Sequence, residues 1–195
     1  MKFEELRGSL ENLELFSKGW RGYIYKALWR GAEVAIKVAK DKDRERAIRK
    51  EAQILELLKG IKGFPQIITS GEDFILYEFI KGKPIEKVSL NHSQKVVVYL
   101  KVLDLIETLD RLGINKDELH RLDKNTLIGD GLEVYLVDFE RGSLKVRKRH
   151  NLSQFLQLLS REGFIKPEEA IALGRRYAKG EDVYHEVRKA LLSFP

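Results

Sequence analysis

Apolar positions along the chain follow two alternating periods, and the switches between them mark out the elements. Residues 23–27 and 33–38 are short β-prone runs separated by the turn-like Trp29-Arg30-Gly31-Ala32, a pattern that predicts a hairpin. Residues 43–58 then change period. Ala47, Ile48, Ala52, Ile54, Leu55 and Leu58 recur mostly at three- and four-residue intervals, predicting an amphipathic helix closed by Gly60. Strand-like runs return at residues 66–69 and 74–79, before Gly82 and Pro84 interrupt the pattern. Helical spacing resumes over residues 93–112, with Gly113 placed to cap the C-terminus. A polar loop at residues 115–124 leads to two short strands, 126–128 and 134–137, flanking Gly129-Asp130-Gly131. Three helical stretches follow: residues 152–161, a segment opened by Pro167, and residues 182–192. The pattern therefore predicts an α+β chain, a sheet with one inserted helix followed by a mainly α second half.

Composition narrows the chemistry. A chain of 195 residues, 43% hydrophobic, suits one ordinary domain or two small lobes. It has no cysteine, which removes disulfides, zinc-thiolate sites and cysteine nucleophiles, so any metal must be held by oxygens or imidazoles. The longest apolar stretch, residues 96–100, is far short of the roughly 20 residues a membrane span needs. The opening MKFEELRGSLENLELF is too acidic and polar for a secretory signal, so a soluble, cytoplasmic protein without membrane partners is expected. Charged residues make up 34% of the chain against ten Asn and Gln together, a balance often met in thermophile proteins. The net charge of +6 is uneven, and residues 141–150 (RGSLKVRKRH) carry five Lys or Arg without an acid. Such a segment suits a polyanionic partner or simply a solvated charged face.

Individual residues stand out against this frame. In SKGWRGYIYKA, residues 17–27, Gly19 and Gly22 lie three apart in a turn, where bare backbone amides can approach phosphates. Lys37 ends the β-prone run Glu33-Val34-Ala35-Ile36-Lys37, and Glu51 follows fourteen residues later on the expected helix. A cation in an apolar strand is costly unless paired, and Glu51 is a candidate partner.

These segments, in this order, resemble the amino-terminal lobe of protein kinases: a glycine-rich loop, VAIK and a helix glutamate that pairs with the lysine gripping the nucleotide phosphates. Ser17 departs from the first glycine of the loop pattern. The resemblance continues with FILYEFIKGKPI as the hinge between lobes, Tyr77 at the gatekeeper place and the backbone of residues 78–80 facing adenine. LDRLGINKDEL is similar to the end of the helix and the catalytic loop, and NTLIGDGLEVYLVDFE to the paired strands ending in DFG. The resemblance implies a reduced bilobal fold, with residues 1–78 as a small β-rich N-lobe and residues 79–195 as a short, mainly α C-lobe lacking the usual activation segment. It further implies ATP or GTP bound with Mg²⁺, through Gly19, Gly22, Ile24, Ala35, Lys37, Glu51, Glu78, Ile80 and Leu127, with Asn125 and Asp138 as metal ligands.

The catalytic loop is irregular. Kinases read H-R-D-L-x-x-x-N, the Asp accepting the proton of the attacking hydroxyl. Counting forward from Gly113-Ile114 places Glu118 at that Asp, with two residues too many before Asn125; counting back from Asn125 selects His120. Preserving the offset between base and metal ligand favours His120. Lys124 is placed to steady the transferred phosphate, and Asp123 is a further carboxylate. Only fifty-five residues follow Glu140, with no A-P-E segment, and in place of a peptide-docking platform stands the basic segment with Lys145, Arg147, Lys148 and Arg149. That combination resembles atypical RIO-like kinases and, more closely, a compact archaeal family that includes tRNA kinases acting on the 2′-hydroxyl of a variable-loop uridine. It implies tRNA as partner; a RIO-like protein kinase and a nucleotide- and RNA-binding pseudokinase are the alternatives.

Overall fold

The computed structural model describes residues 1–19 and 22–193, and the chain forms two compact units. The first comprises Met1–Lys81 together with Asp138–Arg141, and the second Gly82–Val137 with Gly142–Pro195. The chain is α+β, as its pattern predicts: a five-stranded antiparallel sheet, then helices.

In the first unit, α1 (Phe3–Arg7) precedes β1 (Glu11–Lys18), β2 (Gly22–Trp29) and β3 (Ala32–Ala39), and α2 (Glu45–Leu57) is inserted before β4 (Ile67–Ser70) and β5 (Phe74–Glu78). The sheet runs in the order β1-β2-β3-β5-β4. The predicted hairpin is β2 and β3, paired from Gly22 opposite Ala39 to Trp29 opposite Ala32. Side chains alternate between faces of a strand. Val34, Ile36 and Val38 therefore share one face with Phe74 and Leu76 of β5, and this face packs on Phe3 and Leu6 of α1. Ala35 and Lys37 point to the other face, where the register adds Ile24 opposite Lys37 and Tyr77 opposite Ala35. Sheet pairing alone thus gathers four positions singled out by the sequence onto one surface.

The helix α2 buries Ile48, Glu51, Ala52, Ile54 and Leu55. Glu51 lies three residues after Ile48 and four before Leu55, so the helical repeat directs a carboxylate to the apolar side. Two elements escape the pattern: α1, and β1, whose side chains are almost all exposed and whose pairing with β2 is interrupted twice by register shifts. Trp20 and Arg21 of the glycine-bearing turn lie outside the described residues.

In the second unit, α3 (His92–Arg111) opens on a reciprocal cap, Asn91 accepting from the Gln94 amide while the Gln94 side chain accepts from the Asn91 amide. A small sheet orders β6 (Lys83–Pro84), β7 (Thr126–Ile128) and β8 (Val134–Leu136). Then come α4 (Asn151–Arg161), α5 (Pro167–Ala178) and α6 (Tyr184–Ser193). Val102, Ile106, Leu152, Phe155, Leu159, Leu173, Val187 and Leu191 are buried in the unit's core. Among the described residues no helix is long and apolar enough to cross a membrane.

Candidate active site

The first unit concentrates charge at one buried point. Lys37 is only 7% exposed and Glu51 3%. The Lys37 ammonium lies 3.1 Å from Glu51 Oε1, 3.4 Å from Asp138 Oδ1 and 2.6 Å from Glu140 Oε1. Glu51 is held in turn, since the Phe139 amide donates to its Oε2 at 2.7 Å. Phe139 is fully buried, its ring 6.0 Å from that of Phe64. The carboxylate is thereby fixed by a backbone N–H on one side and an ammonium on the other.

Burial works against the charged form of Lys37, but the carboxylates of Glu51, Asp138 and Glu140 outweigh it and hold the ammonium well above its ordinary value. Glu51 is shifted upward, chiefly by burial, with Lys37 opposing the shift. Burial likewise raises the Tyr77 phenol. Fixing Lys37 as a cation is the first requirement for gripping phosphate oxygens.

Glu140 is the residue that sequence reasoning missed. It occupies the place where the DFG pattern has glycine, and that departure was the available signal. With all three carboxylates ionised the cluster is more negative than one lysine can balance. Triphosphate would be repelled from it without a further cation. Glu51, Asp138 and Glu140 offer oxygens all within 4.8 Å of one another. Glu51 and Glu140 are buried against Lys37, whereas the Asp138 side chain is 50% exposed. Hard oxygen donors of this kind suit Mg²⁺, so the residues present fit a magnesium ion reached through Asp138. Asp138 also carries φ 68°, a left-handed backbone that is uncommon for non-glycine residues but that Asp adopts more readily than most.

The glycine turn is only partly described. Gly19 donates its amide to the Gly22 carbonyl at 2.8 Å. At Gly22 an added Cβ would stand 2.5 Å from the Val38 carbonyl oxygen, so the close approach of β2 to β3 requires glycine there. Glu78, at the end of β5, gives its amide to the Gln66 carbonyl, and Ile80 is half-buried two residues beyond.

The second unit holds the loop. Asp117 and Glu118 both have positive φ, 70° and 61°. Asp117 Oδ1 accepts from the Glu118 amide at 2.9 Å and from Gln154 Nε2 at 2.8 Å, so its carboxylate is turned to a bracing role. The Asn125 amide donates to the carbonyls of Arg121, at 3.1 Å, and Glu118, at 3.4 Å. Glu118 is therefore linked to Asn125 in spite of the two extra residues. His120 and Glu118 are both half-buried, and the His120 carbonyl accepts from Arg161. Lys124 is exposed and Leu127 half-buried on β7.

Of the basic segment, Lys145, Arg147 and Lys148 are exposed. Arg149 differs: its guanidinium lies 4.8 Å over the Tyr177 ring and 3.9 Å from Asp110 Oδ2. Asp110 is a buried carboxylate that accepts from the Tyr177 hydroxyl at 2.8 Å, the Tyr184 hydroxyl and Asn151 Nδ2 at 3.0 Å. Asn151 passes the connection to the loop, donating to the Ile114 carbonyl at 2.7 Å and accepting from the Lys116 amide at 2.9 Å.

No family model matches the chain. YrzF of Bacillus subtilis, whose name assigns it provisionally to the serine/threonine-protein kinases, is 27% identical over 143 residues, 72% of this chain and 64% of that protein. A Dictyostelium discoideum protein with a similarly provisional serine/threonine-protein kinase name is 27% identical over 204 residues, 94% of this chain and 47% of its own. The RasGEF domain-containing serine/threonine-protein kinase X of the same organism is also 27% identical, over 90% of this chain but 19% of its own length. The chain spans less than two thirds of each of these relatives. The resemblance supports a distant, protein-kinase-like relationship.

Proposed function

We propose that this chain is an ATP-dependent phosphotransferase acting on a hydroxyl, and that its acceptor is a ribose 2′-hydroxyl of tRNA, within a RIO-like, compact archaeal type of kinase. The observation that carries the kinase reading is the Lys37 ammonium clasped by Glu51 and Asp138, a cation preset for phosphate in a strand beside a glycine turn. Lys37 grips the nucleotide phosphates and Glu51 keeps it in place. Asp138 would hold magnesium, whose charge would offset that of the phosphates. Glu118 takes the proton of the acceptor hydroxyl as its oxygen bonds to the γ-phosphorus, and the bond to the β,γ-bridging oxygen breaks with its electron pair leaving on ADP.

The RNA acceptor is supported by the exposed cations Lys145, Arg147 and Lys148, which can track phosphates while a ribose hydroxyl is offered for transfer. The relatives' names favour a second reading, a protein serine or threonine acceptor. Incubation with γ-labelled ATP and either total tRNA or a protein mixture separates the two. Label in tRNA is expected; label only in protein would overturn the RNA acceptor, and label in neither would leave a nucleotide-binding pseudokinase. Reversing the charge of Lys145, Arg147 and Lys148 should weaken tRNA binding and flatten its salt dependence by roughly one unit of slope per lost phosphate contact.

A further inference from the structure

The cationic segment at residues 142–150 is built onto the loop that carries Glu118, and one residue, Asn115, makes most of the joint. Asn115 is 3% exposed. Its backbone pairs with Ser143 in both directions, amide to carbonyl at 3.0 Å and carbonyl from amide at 2.8 Å. Its side chain uses both ends on the same segment, Nδ2 donating to the Lys148 carbonyl at 2.9 Å and Oδ1 accepting from the His150 amide at 3.1 Å. The Val146 amide adds a bond to the Gly113 carbonyl.

An Asn side chain is one of the few that can donate and accept at once, and here both capacities hold the C-terminal end of the stretch bearing Lys145, Arg147 and Lys148, while the backbone pair with Ser143 holds its start. The other neighbours of the joint reinforce it: Asn151 ties Ile114 and Lys116, and Gln154 receives the Leu119 amide at 3.1 Å. These bonds tie the two stretches together, since moving either alone leaves buried donors and acceptors unpaired. The backbone that carries the exposed cations is thereby bonded to the stretch that leads into Glu118.

We propose that Asn115 is a positioning residue that couples phosphate binding on the cationic segment to the geometry of the Glu118 loop, so that a seated polyanionic acceptor orders the proton-accepting group. This rests on the RNA reading above, and the test separates the two. Hydrogen exchange is followed on the full chain with and without total tRNA at low salt. In the unmodified protein, tRNA should protect residues 142–150 and 113–121 together. In Asn115→Ala it should protect only 142–150. The variant should keep its tRNA affinity and salt slope within about twofold, while kcat for tRNA falls by about tenfold or more, a split that general loss of structure does not produce.

Asn115→Asp keeps the acceptor for the His150 amide but sets a carboxylate oxygen against the Lys148 carbonyl, so it should lose the joint protection as Asn115→Ala does. It carries the comparison if Asn115→Ala does not fold, as read by thermal melting. Protection of 142–150 without 113–121 in the unmodified protein would overturn the coupling and leave the RNA reading standing. Unchanged kcat and joint protection in the variants would overturn it equally. Absence of tRNA binding in the unmodified protein would remove the RNA reading itself, and the coupling with it.

Discussion

At the scale of single residues, the Lys37 ammonium holds together the carboxylates of Glu51, Asp138 and Glu140. Removing one member of a buried ion cluster leaves the others uncompensated, so Lys37→Met should lower stability by about 3–5 kcal/mol, measured by urea unfolding. The sign of the pH dependence follows from its raised value. In the unfolded chain the ammonium loses its proton near the ordinary 10.5, while the folded protein keeps it. The stabilisation is therefore fully present below that pH and declines as the pH rises above it. Urea midpoints through the alkaline range should fall more steeply for the unmodified protein than for Lys37→Met; parallel profiles would contradict this.

Glu118 and His120 are the candidate proton acceptors. The offset from Asn125 favours His120, yet the Asn125 amide reaches the Glu118 carbonyl across seven residues, so the longer loop still keeps Glu118 linked to Asn125. Glu118→Gln should reduce transfer by about a hundredfold or more while His120→Ala retains most of it, as measured by steady-state phosphate transfer. The opposite ranking would assign the role to His120.

Among the elements, the hairpin and the helix with Glu51 were legible because both rest on local periodicity. Period two in residues 33–38 fixes which face Lys37 takes, and the helical repeat fixes Glu51. The strand β1 was not legible, because a nearly all-exposed edge strand with two register shifts shows no alternation. The two-residue β6 is too short to have a pattern. The contacts that brace the loop were hidden for another reason: Asn115, Asn151, Gln154 and Asp110 act through hydrogen bonds spanning 33 to 67 residues, which no local period reveals.

Two element-level substitutions test this account. Gly22→Ala forces a Cβ against the Val38 carbonyl, and overpacking of this sort should cost about 1–3 kcal/mol in urea unfolding. Asp110→Ala strips the acceptor from two buried tyrosine hydroxyls and from Asn151, loosening the junction of α3, α4, α5 and α6. It should cost at least about 1–3 kcal/mol and lower the melting temperature; a melting temperature equal to that of the unmodified protein would contradict the hub.

At the scale of the whole molecule, the residues of the proposed donor and acceptor sides fall in different units. The first holds Lys37, Glu51, Asp138 and Glu140, and the second holds the Glu118 loop and the cationic segment. Residues 138–141 are the point of division, since the chain returns there to the first unit for four residues. That arrangement is the reason the DFE motif, read in sequence as the close of a strand pair, supplies two of the three carboxylates around Lys37. Transfer of label from γ-labelled ATP to total tRNA is measured for the unmodified protein and for Asp138→Ala, each shown to be folded. The unmodified protein should transfer label and Asp138→Ala should transfer none. Equal transfer by the two, or none by the unmodified protein to any hydroxyl acceptor, would contradict the account.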